Sequence, residues 1–322
     1  MIEQDDVFLL FDYVGTPTVT RVLPLLKKYS DRHIYLFFPF TGAQPQREPP
    51  YNDFVFNFRA SYRQETEGLV DHFVDIGRKN IALFYQADAY GRSGWDGVKR
   101  ALAKHDLKMV AEATYRRGTG YSESLKQQVE ILRRSNPDAV IAVGAYAACA
   151  AFIRDARDAG WDVPIANVSF VGSENMLSLL LASSEETGKD YTVNLINSQV
   201  VPSYEETSLP AVQEYRHLMD TYSVLPPKEV LEPGYTPLRY SFVSFEGFLN
   251  AKILVEILKR MGRIPRRDRI REVVESISSL DIGLNQPISF GPDRHQGSDA
   301  VYYTTVVDKH FVPVTDWKEW AK

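Results

Sequence analysis

The residues best suited to chemistry lie in one short segment, Asp12-Tyr13-Val14-Gly15-Thr16-Pro17-Thr18-Val19-Thr20-Arg21. Here an apolar run, Val7-Phe8-Leu9-Leu10-Phe11, gives way to a helical stretch ending near Lys28. The first backbone N–H groups of a helix have no internal partner and sit at the positive end of its dipole. A buried strand that delivers hydroxyls to such a point makes an anion site. Pro17 suits the first helical position, because its missing N–H would be unpaired anyway. Thr16 is then the expected N-cap, with a hydroxyl able to turn to a carboxylate. The same pattern also describes an ordinary capped helix with no ligand, so the rest of the chain must decide.

Catalytic chemistry finds little support. There is no G-x-S-x-G elbow, no H-E-x-x-H and no G-x-x-x-x-G-K-[ST]. Gly118-Thr119-Gly120 lacks the third glycine and the strand-to-helix setting of a dinucleotide site, and is expected to be a loop. The histidines are scattered, with His295 in a tail turn that suits a structural role. Glu185-Glu186 and Glu205-Glu206 look like exposed loop or helix-end residues. One cysteine, Cys149, excludes an intrachain disulfide and a cysteine-built metal site. No enzyme, metal site or cofactor is expected.

The elements that must position these residues alternate regularly. Candidate strands are Val7–Phe11, Ile34–Phe38, Val55–Phe58, Ile81–Tyr85, Met109–Ala113, Ala139–Val143, Ile165–Val168 and Val193–Val200. Several are apolar throughout, as expected of strands covered by helices on both faces. Between them lie helical patterns at Thr18–Lys28, Gln64–Gly77, Gly91–His105, Ser122–Arg134, Tyr146–Ala159 and Asn175–Ala182. This rhythm predicts an α/β protein with mainly parallel sheets. Past Pro202 it changes: a helix around Leu209–Tyr222, a loop rich in proline and glycine from Leu225 to Pro237, then a long helix over Tyr240–Met261. Phe242, Phe245, Leu249, Ile253, Ile257 and Met261 form its apolar stripe, and Gly262 its expected C-terminal cap. Short strands are expected at Ile288–Phe290, Val301–Val307 and Phe311–Val314.

Composition narrows the classes further. At 322 residues the chain can bury a large core and is expected to divide into two lobes. A net charge of -5 argues against nucleic acid, since nothing basic dominates enough to neutralise a row of phosphates. The basic clusters at Arg116-Arg117, Arg133-Arg134 and Arg263 to Arg271 are expected to be solvated helix faces and turns. No stretch approaches the ~18 consecutive apolar residues of a membrane span. The first residues lack the basic and apolar regions of a secretion signal.

Taken in order, the sequence resembles the type I periplasmic substrate-binding proteins, specifically the branched-chain amino acid (Leu/Ile/Val)-binding family of ABC transporters. Carrying the resemblance are Tyr13-Val14-Gly15-Thr16-Pro17-Thr18, Pro39-Phe40-Thr41-Gly42-Ala43 and Asn57-Phe58-Arg59-Ala60-Ser61-Tyr62. Next come Asp88-Ala89-Tyr90-Gly91-Arg92-Ser93-Gly94 and Asn167-Val168-Ser169-Phe170-Val171-Gly172-Ser173. Ser244-Phe245-Glu246-Gly247-Phe248-Leu249-Asn250-Ala251 and Phe290-Gly291-Pro292-Asp293-Arg294-His295-Gln296-Gly297 complete the set. The resemblance implies two Rossmann-like lobes with parallel sheets, joined by three crossovers and enclosing a small ligand in the cleft between them. One lobe is expected over residues 1–60 and 201–285, the other over 61–200 and 286–322.

Carried over by position, Thr16 matches the hydroxyl residue that binds a ligand carboxylate. Phe40, Thr41 and Gly42 match the second ligand-binding loop of that lobe, and Tyr90 and Tyr146 match cleft tyrosines of the opposite lobe. Ligands of open α/β sheets bind beyond the carboxyl ends of strands, and all these places follow expected strands. Two departures stand out. The family's first strand, helix and second strand are missing before Val7, so the chain is expected to be N-terminally truncated, its parent periplasmic although no signal peptide is present. Asp12 stands where glycine is usual, unfavourable beside a carboxylate site unless it turns away or meets a cation. The acid that holds a ligand ammonium aligns near Ser169 or Phe170, neither charged. A plain aliphatic amino acid is therefore disfavoured, and an aromatic acid, amide or other small carboxylate gains ground.

The expected function is a monomeric solute-binding protein that presents a small carboxylate-bearing ligand to a membrane permease. The alternatives are the sensing domain of a receptor or amide-responsive regulator, and a truncated remnant that binds nothing.

Overall fold

The computed structural model describes residues 2–222, 226–230 and 237–321. The chain opens with β1 (Leu10–Phe11), α1 (Thr16–Lys28), β2 (Leu36–Phe37) and β3 (Val55–Phe56). These strands form a parallel sheet in the order β1-β2-β3. Leu10, Leu36 and Val55 face α1, where Val19, Leu23 and Leu26 are buried. Phe37 and Phe56 face the opposite core. Both faces are covered, so these strands carry no polar alternation.

A second unit follows: α2 (Tyr62–Asp75), β4 (Ile81–Gln86), α3 (Ala89–Lys104), β5 (Ala111–Tyr115), α4 (Lys126–Arg133), β6 (Ala139–Val143), α5 (Tyr146–Asp158), β7 (Ile165–Asn167), α6 (Ser173–Thr187) and β8 (Leu195–Gln199). The chain then adds α7 (Pro210–Tyr222), α8 (Phe242–Met261) and α9 (Ile270–Glu275), which pack on the first sheet. It returns through β9 (Tyr302–Val307), β10 (His310–Pro313) and α10 (Trp317–Trp320). The large sheet runs β10-β9-β8-β7-β6-β4-β5, parallel except for its β9 and β10 edge. An α/β architecture with parallel-rich sheets is thus present.

Local chemistry explains the helix starts. Ser61 and Gln64 form a reciprocal capping box on α2, with Gln64 N–H donating to Ser61 Oγ at 3.2 Å and Ser61 N–H to Gln64 Oε1 at 2.8 Å. Asp88 caps α3 by accepting from the amides of Tyr90 (2.9 Å) and Gly91 (3.3 Å). The α8 stripe is buried at Phe242, Phe245, Leu249, Ile253 and Ile257, with Met261 against its edge.

Several boundaries move. The first helix begins at Thr16, not Thr18, and its cap is Gly15 at φ 90, so Thr16 is the first helical residue rather than the N-cap. The fourth helical pattern starts only at Lys126, and the sixth runs on to Thr187, where Gly188 at φ 72 ends it. The edge strand sits at Ala111–Tyr115 rather than Met109–Ala113. The stretch Ile288–Phe290 makes only a bridge, Ile288 to Leu280, in place of a strand. Part of the basic run Arg263 to Arg271 lies in α9, whose Ile270, Val273 and Val274 are buried. The proline- and glycine-rich loop from Leu225 to Pro237 falls largely outside the described residues. Among the described residues no helix is long and apolar enough to cross a membrane.

Candidate functional site

The turn after β1 and the turn after β2 meet. Val14 and Phe40 form a parallel bridge, Gly15 N–H donates to Phe40 O at 3.1 Å, and Phe40 N–H to Tyr13 O at 2.9 Å. This pairing sets Thr16 Oγ1 2.7 Å from Thr41 Oγ1, both residues essentially inaccessible. Thr41 Oγ1 also accepts from Ala43 N–H at 3.2 Å. The hydroxyl expected to stand free at the helix start is therefore tied to a second one. The first-turn amides of Thr16 and Thr18 still lack partners within the helix. Gly42 must be glycine because a Cβ there would lie 2.7 Å from the Tyr62 backbone nitrogen.

Aromatic rings close over this point. The ring centroids of Phe40 and Phe170 are 5.4 Å apart, those of Phe170 and Tyr90 4.7 Å, and those of Tyr90 and Tyr62 5.2 Å. Phe170 belongs to a 3-10 turn at Ser169–Val171 after β7. Its Cζ lies 4.0 Å from where a Cβ on Gly15 would sit. Tyr90 is buried, its hydroxyl donating to Gly144 O at 3.3 Å. Tyr146 stands apart from the row: it is 41% exposed at the start of α5, its Cβ 3.9 Å from a notional Cβ on Gly172.

Beneath the rings lies a charged cluster that the sequence did not single out. Arg59, 1% exposed, stacks over Phe40 at 4.8 Å and reaches Glu65 (3.5 Å) on α2 and Glu246 (3.6 Å) on α8. One Arg59 Nη donates to Ser169 Oγ. Ser169 in turn donates to Glu65 from its N–H (2.8 Å) and its hydroxyl (3.0 Å), and Ser198 Oγ adds a bond at 2.7 Å. Among the described residues none donates a hydrogen bond to Glu246 Oε1. Burial raises its carboxyl from 4.5 to about 7, Arg59 pulling the other way and Asp12 and Glu65 adding like-charge repulsion. The Ser169 position thus carries no charge itself but anchors a carboxylate from α2.

Asp12 turns toward α8, where it accepts from Asn250 Nδ2 at 3.1 Å. Its φ of 54 lies in the left-handed region that favours glycine. Burial raises the Asp12 carboxyl, with Asn250 and Arg59 opposing. His295 holds a structural position: Nδ1 contacts Asn52 O at 2.8 Å and Nε2 contacts Glu275 at 3.0 Å. Among the described residues no cluster of His, Cys, Asp or Glu is arranged for a metal ion.

The one available signal for the charged cluster was placement. Arg59 directly follows Phe56-Asn57-Phe58, and Glu246 stands beside Phe245 at the apolar face of a helix.

Comparison with known proteins adds to this geometry. Residues 1–310 match the family model described as periplasmic binding protein. A possible leucine/isoleucine/valine-binding protein from Rhodopirellula baltica is 30% identical, with a TM-score of 0.84 over 100% of this chain and 80% of that one. A substrate-binding periplasmic protein from Ralstonia solanacearum shares 24% identity over 98% and 82% of the two chains, TM-score 0.81. At 15% identity, a branched-chain amino acid ABC transporter protein from Thermus thermophilus with bound valine shares the fold, TM-score 0.77 over 98% and 79%. No curated protein sequence matches the chain.

Proposed function

Because this chain belongs to the periplasmic binding protein family, we propose that it captures a small carboxylate-bearing solute in a cleft between two lobes. It presents that solute to the permease of an ABC transporter. The family's members and neighbours are solute-binding proteins rather than enzymes. The proposed lobes are residues 1–60 with 201–285, and 61–200 with 286–322.

One observation carries the proposal. Thr16 and Thr41, from separate turns of the small sheet, meet at 2.7 Å, and the Phe170 ring from the Ser169–Val171 turn after β7 lies against the neighbouring Phe40 and Gly15. The hydroxyl pair and first-turn amides suit a carboxylate. The row Phe40, Phe170 and Tyr90 suits a flat apolar body. Gly42 lets the second turn approach closely, and Ser169 keeps the 3-10 turn anchored. Tyr146, exposed at the start of α5, is a cover for the ligand once the lobes close. Entry requires Phe40 and Phe170 to part, so binding selects an opened arrangement and then stabilises a closed one.

The test is calorimetric titration of the chain with amino acids and aromatic carboxylic acids, repeated on Thr16→Ala. Losing one hydroxyl contact to the carboxylate lowers affinity roughly 3- to 10-fold. An unchanged affinity removes Thr16 from the site.

A further inference from the structure

A cavity of about 310 Å³, lined by neither Thr16 nor Thr41, lies between the loop after β2 and the segment leading into β9. Its walls include Gln44, Arg47, Asn57, Gln64, His295 and Asp299. Backbone bonds fasten these walls together: Asn57 N–H donates to His295 O at 2.7 Å, and Gly297 N–H to Asn57 O at 2.8 Å. The cavity is thus a built feature of the join between chain segments far apart in sequence.

Its polar groups are incompletely satisfied. Arg47 donates from Nε to Ala43 O at 3.2 Å and from Nη1 to Gln296, but buried Nη2 has no partner. Asn57, 1% exposed, leaves Oδ1 without a donor, and Gln44 Oε1 is in the same condition. Buried polar atoms of this kind nearly always find partners. Water could supply the hydrogen bonds. It could not supply a carboxylate in direct contact with Arg47.

The charges around Arg47 are already committed. Glu48, the nearest carboxylate in sequence, pairs with Arg63 at 2.7 Å. Asp299 pairs with Arg294 at 2.9 Å and accepts from Gln64 at 2.8 Å. His295 uses both ring nitrogens, on Asn52 and Glu275. Asp293 is exposed at the adjoining turn. Among the described residues no ion pair is formed by Arg47, so its guanidinium has no carboxylate in direct contact, Glu65 and Asp299 acting on it only from farther off. Burial, with Arg59 pressing the same way and Tyr62, Glu65 and Asp299 opposing, lowers its guanidinium to about 9, still charged at neutral pH.

We infer that this cavity binds a small carboxylate bearing an adjacent hydroxyl or amino group. The carboxylate accepts from Arg47 Nη2, and the neighbouring donor serves Asn57 Oδ1 or Gln44 Oε1. The site is independent of the proposed cleft, since it uses none of the cleft's residues.

The probe is glycolate, which carries both features, set against acetate (no donor) and methyl glycolate (no charge). Each is titrated into the full chain by calorimetry while the His295 ring resonances are followed by NMR and assigned with His295→Gln. Glycolate is expected to saturate and to shift the His295 signals. Acetate should bind about 3- to 10-fold more weakly, methyl glycolate not at all, and Arg47→Met should lose about 10- to 100-fold. Thr16→Ala should leave glycolate binding at this cavity intact, which separates its failure from that of the cleft. Equal responses to glycolate and its ester, no His295 shift at saturating glycolate, or undiminished binding to folded Arg47→Met would each overturn the inference. Should Arg47→Met fail to fold, the ligand series read at His295 decides alone.

Discussion

Replacing Glu246 by glutamine should make the protein more stable in alkaline solution and leave it nearly unchanged in acid. Glu246 is fully buried on α8, with one cation, Arg59, at 3.6 Å and no hydrogen bond on its Oε1. Its carboxyl is raised from 4.5 to about 7. Between those values the folded protein holds a proton that the unfolded chain has released. Stability therefore falls as pH rises through this window, and the loss is complete above the folded value. A rise from 4.5 to about 7 corresponds to about 3 kcal/mol. The attraction of Arg59 is already contained in that shift, so it does not enter again. Glutamine resembles the protonated acid in shape and charge and escapes the window.

Urea unfolding of both proteins at pH 5, 6, 7 and 8 measures the difference directly. It should be under about 1 kcal/mol at pH 5 and grow to about 3 kcal/mol in favour of Glu246→Gln by pH 8. Glu174 carries a similar rise to about 7, caused by burial and opposed by the Phe242 amide it accepts from at 2.8 Å. It is present in both proteins and cancels. A difference that stays flat across the series would refute the reasoning, because it would mean that Glu246 holds its charge at no cost.

Phe170→Ala removes the ring between Phe40 and Tyr90 and should lower stability by about 1–3 kcal/mol, since the site is only partly buried; thermal unfolding reads it. Gly91→Ala places a Cβ 1.9 Å from the Gln86 carbonyl oxygen, so the usual gain from a helical alanine should reverse into a loss of several-fold larger size, visible as a drop in melting temperature. Cys149 is fully buried and its thiol is pushed far up by desolvation, so iodoacetamide should label it only after denaturant is added. Rapid labelling of the native protein would show that α5 opens.

What could be read from the sequence divides along the range of the interactions concerned. Ala139–Val143 is a strand at the residues expected because five apolar residues between helical patterns leave few alternatives, and Phe242–Met261 follows its stripe because helical periodicity is local. The meeting of the Thr16 and Phe40 turns follows from the parallel order of β1 and β2, which the alternating pattern implies. Charge pairing is different in kind. Arg59 draws Glu65 from α2, Glu246 from α8 and Ser169 from a turn 110 residues on, and nothing in those segments taken singly names its partner. Residue type alone points the other way, since solvent exposure is the commonest fate of arginine and glutamate. Only their setting argued otherwise, an arginine amid phenylalanines and a glutamate beside a buried helical face. An ion in such a place must be paired across the fold or lose its charge. Glu246, with a carboxyl at about 7, lies near the boundary between those two outcomes, which is why its pH response tests the whole cluster rather than one contact.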